Sequence, residues 1–392
     1  MAIPINPVLT NIPPSGIRRF FDIAAQDKSV ISLSVGEPNF SAPEKVRAAM
    51  IQSLQDGKTQ YTSNQGLLEL RREIAAWLQR KYGVEYHGDS EVLITVGVSE
   101  AYDVCVRGCL TPGDEVLIPK PCFVMYEPLV QLAGAIPVAI NTRPENGFVL
   151  TAEEIDRACT AKTKMLVLNY PNNPTGATFT REQLLKIAEV VQRRNLVVAS
   201  DEVYSELSYE HPHTCFAALP NMRERTLLLN GFSKFFAMTG IRMGFLCAPA
   251  ETLKQLAKVH QFGIMCAPTQ SQIGALVALQ ECEADMQRMK AAYRERRDLL
   301  VKELRALGFD CPLPGGAFYL YPSVKPFGME GEPFCYDLLD KAKLAIVPGN
   351  AFGSAYSDRI RISYGAGMEV VQEAVKRLKT YVAKIKVSPQ AH

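Results

Sequence analysis

Between residues 92 and 248 the chain alternates short, almost continuously apolar runs with longer stretches of mixed polarity. The runs are VLITVG (92–97), EVLIP (115–119), PVAI (137–140), MLVLNY (165–170), LVVAS (196–200), TLLLN (226–230) and MGFLCA (243–248). Runs this apolar predict strands buried on both faces, and the helix-like stretches between them predict a mostly parallel sheet. Upstream, Leu67, Leu70, Ile74, Trp77 and Leu78 recur at helical spacing, and Gly83 ends the pattern. Downstream, Met286, Met289 and Tyr293 begin an amphipathic helix that runs to Leu307, with Gly308 just past its end. The last third changes character. AFYLYP (317–322), AIVPG (345–349) and RIRISY (359–364) predict strands, and Val371, Val375, Leu378, Val382 and Ile385 share one face of a closing helix.

The expected fold is therefore α/β: a large domain with a mostly parallel seven-stranded sheet flanked by helices, plus a smaller α+β domain. The expected parts are an N-terminal arm (1–47), rich in Pro, that packs on the small domain and reaches the active site; the large domain (48–285); and the small domain (286–392). Neither an internal repeat nor a low-complexity tract interrupts this plan.

Composition removes several function classes. A chain of 392 residues exceeds one compact core. A net charge of +2 gives no electrostatic reason to expect nucleic acid or an anionic membrane as partner. No apolar run approaches a membrane span, and the start MAIPINPVLTNIPPSG lacks the basic and apolar regions of a signal peptide. The ten cysteines are scattered without a C-x-x-C pair, which reads as thiols in a reducing compartment. His211 and His213 flank Pro212 with Cys215 nearby, where a surface turn is the expectation over a metal site. The expected protein is cytoplasmic and metal-free.

In open α/β sheets, ligands sit beyond the carboxyl ends of the strands, so the residues just after each run carry the chemical interest. After VLITVG come Val98 and Ser99 and a helix-like stretch, whose free N–H groups suit phosphate. After MLVLNY, Pro171-Asn172-Asn173-Pro174-Thr175-Gly176 forms a rigid turn that would hold Asn173 as a directed donor; taken alone, a turn without function is an equal reading. Asp201, at the end of LVVAS, must find a cationic or donor partner or shift its pKa, and a structural salt bridge is the plainer alternative. After TLLLN, Lys234 lies among Phe232, Phe235 and Phe236, where desolvation disfavours the ammonium and leaves an amine suited to imine chemistry. Arg242, eight residues on, adds a cation suited to phosphate.

The run SKFFAMTGIRMGF, with YPNNPTG and SDEVY upstream, resembles the class I/II aminotransferases, pyridoxal-phosphate enzymes of fold type I. The spacing agrees, with 28 residues from Asn173 to Asp201 and 33 from Asp201 to Lys234. SVGEPNF (34–40), YTSNQGLLELR (61–71), TPGDEVLIP (111–119) and PGGAFYLYP (314–322) extend the likeness over nearly the whole chain.

The resemblance implies a role for each residue. Lys234 would hold pyridoxal phosphate as a Schiff base and later move a proton; Asp201 would pair with the ring nitrogen; Tyr204 and Asn173 would donate to the phenolate oxygen. Phe123 would stack on the ring, or be a plain core aromatic. Val98, Ser99, Ser233 and Arg242 would hold the phosphate, although Gly231 stands where several relatives carry a serine. Tyr61 would reach the phosphate of a neighbouring subunit, making a homodimer with shared active sites the working unit. Arg361 would clamp the substrate carboxylate, which Gly36 and Asn173 would also approach, unless Gly36 is only a turn glycine.

The expected reaction moves an amino group from an aspartate-, glutamate- or aromatic-type L-amino acid to a 2-oxo acid such as 2-oxoglutarate. The alternatives are an N-acetyl-diaminopimelate-type substrate and a carbon–sulfur β-lyase on the same fold. Arg107 or Arg18 could read a distal carboxylate, with a solvated helix face as the alternative for Arg107, whereas Ile17, Phe20 and Tyr126 could suit long or aromatic side chains. A non-catalytic effector domain of a transcription regulator is disfavoured, because no winged-helix segment precedes these motifs.

Overall fold

The seven apolar runs become seven strands because their alternate side chains are buried on opposite sides. In the computed structural model, which describes residues 3–14, 16 and 27–387, Val116 and Ile118 belong to one hydrophobic core and Leu117 to another. Met165 and Val167 likewise face away from Leu166 and Leu168. Helices Ala152–Ala158 and Arg181–Arg193 cover the second face, and helix Gly97–Cys109 lies against the first. A strand between two cores has no polar face to offer, which is why the runs lack alternation.

In chain order the strands are β1 (Ile31–Ser32), β2 (Val92–Thr95), β3 (Glu115–Lys120), β4 (Ile136–Asn141), β5 (Thr163–Asn169), β6 (Val197–Asp201), β7 (Thr226–Gly231), β8 (Gly244–Cys247), β9 (Tyr319–Leu320), β10 (Leu344–Ala345), β11 (Val347–Pro348) and β12 (Ile360–Ser363). The large sheet has the order β2-β8-β7-β6-β5-β3-β4. β8 alone runs opposite to the other six strands. β4 differs from the expectation of two-sided burial: it is an edge strand, and Ile136 is exposed.

The later strands are shorter than their sequence runs suggest. AFYLYP contributes only β9, since Ala317 takes a φ of 58° and Pro322 has no N–H to give to a ladder. AIVPG splits at Ile346. Its first half, β10, pairs in parallel with β1, and its second half, β11, joins the antiparallel sheet β11-β12-β9. The expected helices form as Leu68–Tyr82, Glu283–Leu307 and Met368–Val387. Gly83 and Gly308 end the first two in left-handed conformations that glycine adopts freely. No helix among the described residues is long and apolar enough to cross a membrane.

Leu166 lies at the centre of β5 with no exposed surface. Leu166→Ala is expected to cost about 2–5 kcal/mol, because the cavity it leaves cannot fully collapse. A clear fall in the thermal unfolding midpoint checks this, and an unchanged midpoint would contradict the double-core packing.

Candidate active site

The carboxyl ends of β5, β6 and β7 point their following residues into one cavity of about 280 Å³. Every residue to which the resemblance gives a catalytic, cofactor-holding or carboxylate-binding role lines it, except Tyr61.

Asp201 is the last residue of β6 and is 4% exposed. Its Oδ2 accepts a 2.6 Å hydrogen bond from the Tyr126 hydroxyl, and its Oδ1 accepts the Val203 N–H at 3.2 Å. Burial pushes the carboxyl up to about 6, and these two donors hold it from rising further. Lys234 follows β7 and donates to the Gly36 carbonyl at 2.9 Å. Burial lowers its ammonium to about 8; Glu37 and Asp201 oppose that shift, and Arg242 and Arg361 assist it. Tyr204 is buried with its hydroxyl 2.7 Å from that of Tyr319, and burial raises its pKa well above the ordinary phenol value.

Arg361 comes from β12 and is 1% exposed. Its Nη1 donates to Asn173 Oδ1 at 3.1 Å and its Nη2 to the Ser34 carbonyl at 2.5 Å. Its plane lies over the rings of Tyr319 (4.7 Å) and Phe352 (4.8 Å). Its Nε is buried without a hydrogen-bond partner among the described residues, which also supply no ion pair to this guanidinium. A buried cation of this kind, with a donor to spare, is built to receive a carboxylate.

The other end of the cavity suits phosphate. Helix Gly97–Cys109 starts there, with Val98 and Ser99 in its first turn. Gly97 has a φ of 77°, and a Cβ on it would run into the Arg242 guanidinium. A Cβ on Gly244 would strike the Gly97–Val98 backbone. The guanidinium thus sits against a helix N-terminus, two sources of positive potential at one point. Arg242 itself holds a φ of 58°, a left-handed conformation that a non-glycine residue adopts only under constraint. Gly231 also has a structural reason: a Cβ there would meet the Met243 carbonyl oxygen and the Gly244 Cα at under 3 Å.

Comparison with known proteins decides the family. The family model described as aminotransferase class I and II matches residues 28–378. The chain belongs to that family. It is 42% identical to the "Probable N-acetyl-LL-diaminopimelate aminotransferase" of Bacillus subtilis, over 97% of this chain and 96% of that protein. It is 39% identical to an aspartate aminotransferase of Pyrococcus abyssi, over 96% of this chain and 98% of the relative. Among solved structures, an aromatic aminotransferase from Pyrococcus horikoshii superposes with a TM-score of 0.90 at 38% identity, covering 94% of this chain and all of the other. The protein is an aminotransferase, of a family whose members use pyridoxal phosphate.

The residues present fit that cofactor: a desolvated lysine, a buried carboxylate across the cavity, and a phosphate-sized cradle beside Arg242. Three other expectations meet different outcomes. Tyr61 lies on the surface, 79% exposed, and does not enter this chain's own cavity. Arg107 is on an exposed helix face and pairs with Asp103 at 3.0 Å. Arg18, Ile17 and Phe20 lie outside the described residues. In the segment 211–213, where a surface turn is expected, Pro212 is exposed, but the His213 side chain departs from that expectation: it is buried, 2.6 Å from Glu202, and stacks on Tyr170. The apolar pocket around Tyr170 and the buried Glu202 hold it inward, and among the described residues no group of acidic, His and Cys side chains could hold a metal.

Tyr319, Asn169, Met125 and Val203 also line the cavity, and sequence reasoning missed them. Asn169 ends β5, so the strand-end rule applied one residue earlier would find it. Tyr319 arrives from β9 of the other sheet, and nothing local signals that approach. Tyr126, considered above only as a substrate contact, is instead bonded to Asp201.

The lowered pKa of Lys234 has a thermodynamic consequence. Its folded value lies below that of the unfolded chain, so ionised Lys234 destabilises the fold fully below pH 8, and this is relieved as pH rises above 8. Cofactor-free Lys234→Met is therefore expected to melt above the wild type at pH 7, with the difference narrowing toward pH 10. Melting curves across that range check the sign, and a constant or widening difference would contradict it.

Proposed function

We propose that this aminotransferase binds pyridoxal 5′-phosphate covalently through Lys234 and transfers the amino group of an L-amino acid to a 2-oxo acid such as 2-oxoglutarate. The observation that carries this reading is the convergence of Lys234, Asp201 and Arg361 on one cavity. The bound cofactor supplies an electron sink for negative charge at the substrate α-carbon. Arg361 then fixes the substrate carboxylate, with Asn173 and the Gly36 backbone beside it, and so orients the bond at Cα that must break. Once the substrate amine has displaced it from the cofactor, the freed Lys234 Nζ would take the proton from Cα, a role its lowered pKa suits near neutral pH. Asp201 keeps a proton on the ring nitrogen, and Tyr204 and Asn173 donate to the phenolate oxygen. Val98, Ser99, Ser233 and Arg242 hold the phosphate, and Phe123 covers the ring.

Aspartate, glutamate and aromatic amino acids rank first as donors, supported by the relatives named for aspartate and aromatic substrates. An N-acetyl-diaminopimelate-type substrate is the second reading, favoured by the 42% identity to the Bacillus subtilis relative named for it. We further propose a homodimer in which Tyr61 completes the partner's site. Exposed Tyr61, Phe262, Ile264 and Met265 support this, the Asn64 side chain joining the two segments through the Met265 carbonyl. The proposed division is an arm to residue 47, a large domain to 285 and a small domain beyond, although helix Glu283–Leu307 begins just before the second boundary. Ten free thiols support a cytoplasmic location.

Lys234→Ala is expected to abolish transamination while retaining some cofactor through the phosphate contacts. Undiminished activity in that variant would overturn the assignment. Arg361→Ala is expected to lower kcat/KM by roughly 100-fold or more for every α-amino acid donor, since it removes a charge-assisted pair. A loss confined to one donor class would move Arg361 to side-chain recognition instead.

A further inference from the structure

Helix Ala250–Gly263 places a wholly buried histidine against the helix that starts at the cavity. His260 Nδ1 is 2.5 Å from Oε1 of Glu100, one turn into helix Gly97–Cys109. The other Glu100 oxygen accepts the N–H of Val96, the residue that leads into the turn. His260 Nε2 is buried and has no hydrogen-bond partner among the described residues. A proton on Nε2 would be unpaired, so the tautomer that fits this site carries its hydrogen on Nδ1 and donates it to Glu100 Oε1.

This arrangement answers a difficulty. The first N–H groups of a helix lack intrahelical partners, and a loose carboxylate in the first turn competes for them with any incoming anion. Here both Glu100 oxygens are occupied, one by His260 and one by Val96. The N–H groups of Val98 and Ser99 are left for a ligand, and the backbone entering the turn is tied to a second helix. We propose that His260, acting through Glu100, is a positioning residue for the phosphate-binding turn at Val96–Ser99. This rests on the reading of Val98, Ser99 and Arg242 as the phosphate cradle.

The test uses the full-length protein, stripped of cofactor and titrated with pyridoxal phosphate and with pyridoxal, which lacks the phosphate. The readout is the ratio of the two dissociation constants, which a general loss of stability would not move. His260→Leu is expected to weaken pyridoxal phosphate about tenfold while leaving pyridoxal unchanged, the effect of one lost hydrogen bond to a charged group. His260→Asn, which returns a donor near Nδ1, is expected to recover most of that loss. Folded His260→Leu with the wild-type ratio would overturn the proposal. If His260→Leu does not fold, Glu100→Gln gives the same reading, because its amide sets a donor against one of two donors; an unchanged ratio there overturns the proposal equally. Arg242→Ala separates the two levels. If it lowers the ratio and the His260 and Glu100 variants do not, only the positioning role fails. If it too leaves the ratio unchanged, the phosphate reading itself fails.

Discussion

Lys234 and Arg361 face one cavity with no carboxylate of the described residues bonded to either, and they set the terms for the rest of the site. Lys234 spends its hydrogen bond on the Gly36 carbonyl, and Arg361 spends two on Asn173 and the Ser34 carbonyl. Burying charge this way is unfavourable unless a ligand completes it. Asp201, which lines the cavity, is itself bound by Tyr126 and the Val203 amide. The negative charge these cations call for is thus left for what enters the cavity, and an amino acid and a phosphorylated cofactor both bring it.

The fold makes that arrangement affordable by taking the cations from different elements. Lys234 follows a central strand of the large sheet, and Arg361 lies on β12 of the small antiparallel sheet. Gly36 and Ser34 come from the segment just after β1, which pairs with β10. A change in how the small sheet sits on the large one would move Arg361 and Gly36 relative to Lys234. Positions held by separate rigid elements are what a reaction dependent on the direction of one Cα bond requires. Tyr319 ties the two sides together, its hydroxyl on Tyr204 and its ring under Arg361.

Legibility from sequence followed the range of the forces involved. The central sheet was readable because two-sided burial leaves unbroken apolar runs, as at β5 and β7. Lys234, Asp201 and Asn173 were readable because strand ends place them. Arg361 and Tyr61 rested on resemblance alone, since nothing near them in sequence marks their use. The shortness of β9 was hidden by the left-handed Ala317, a conformation no propensity predicts. Tyr126 and His260 act across tertiary contacts to Asp201 and Glu100, and burial of a polar group signals them only once the fold is in hand.

The central claim is that Lys234, rather than any other amine, carries the cofactor. Reduction of the yellow holoenzyme with borohydride, followed by digestion and mass spectrometry of the peptides, reads this directly. The account predicts a pyridoxyl-phosphate adduct on the peptide that holds Lys234 and on no other. An adduct at a different lysine, or none at all, would contradict it.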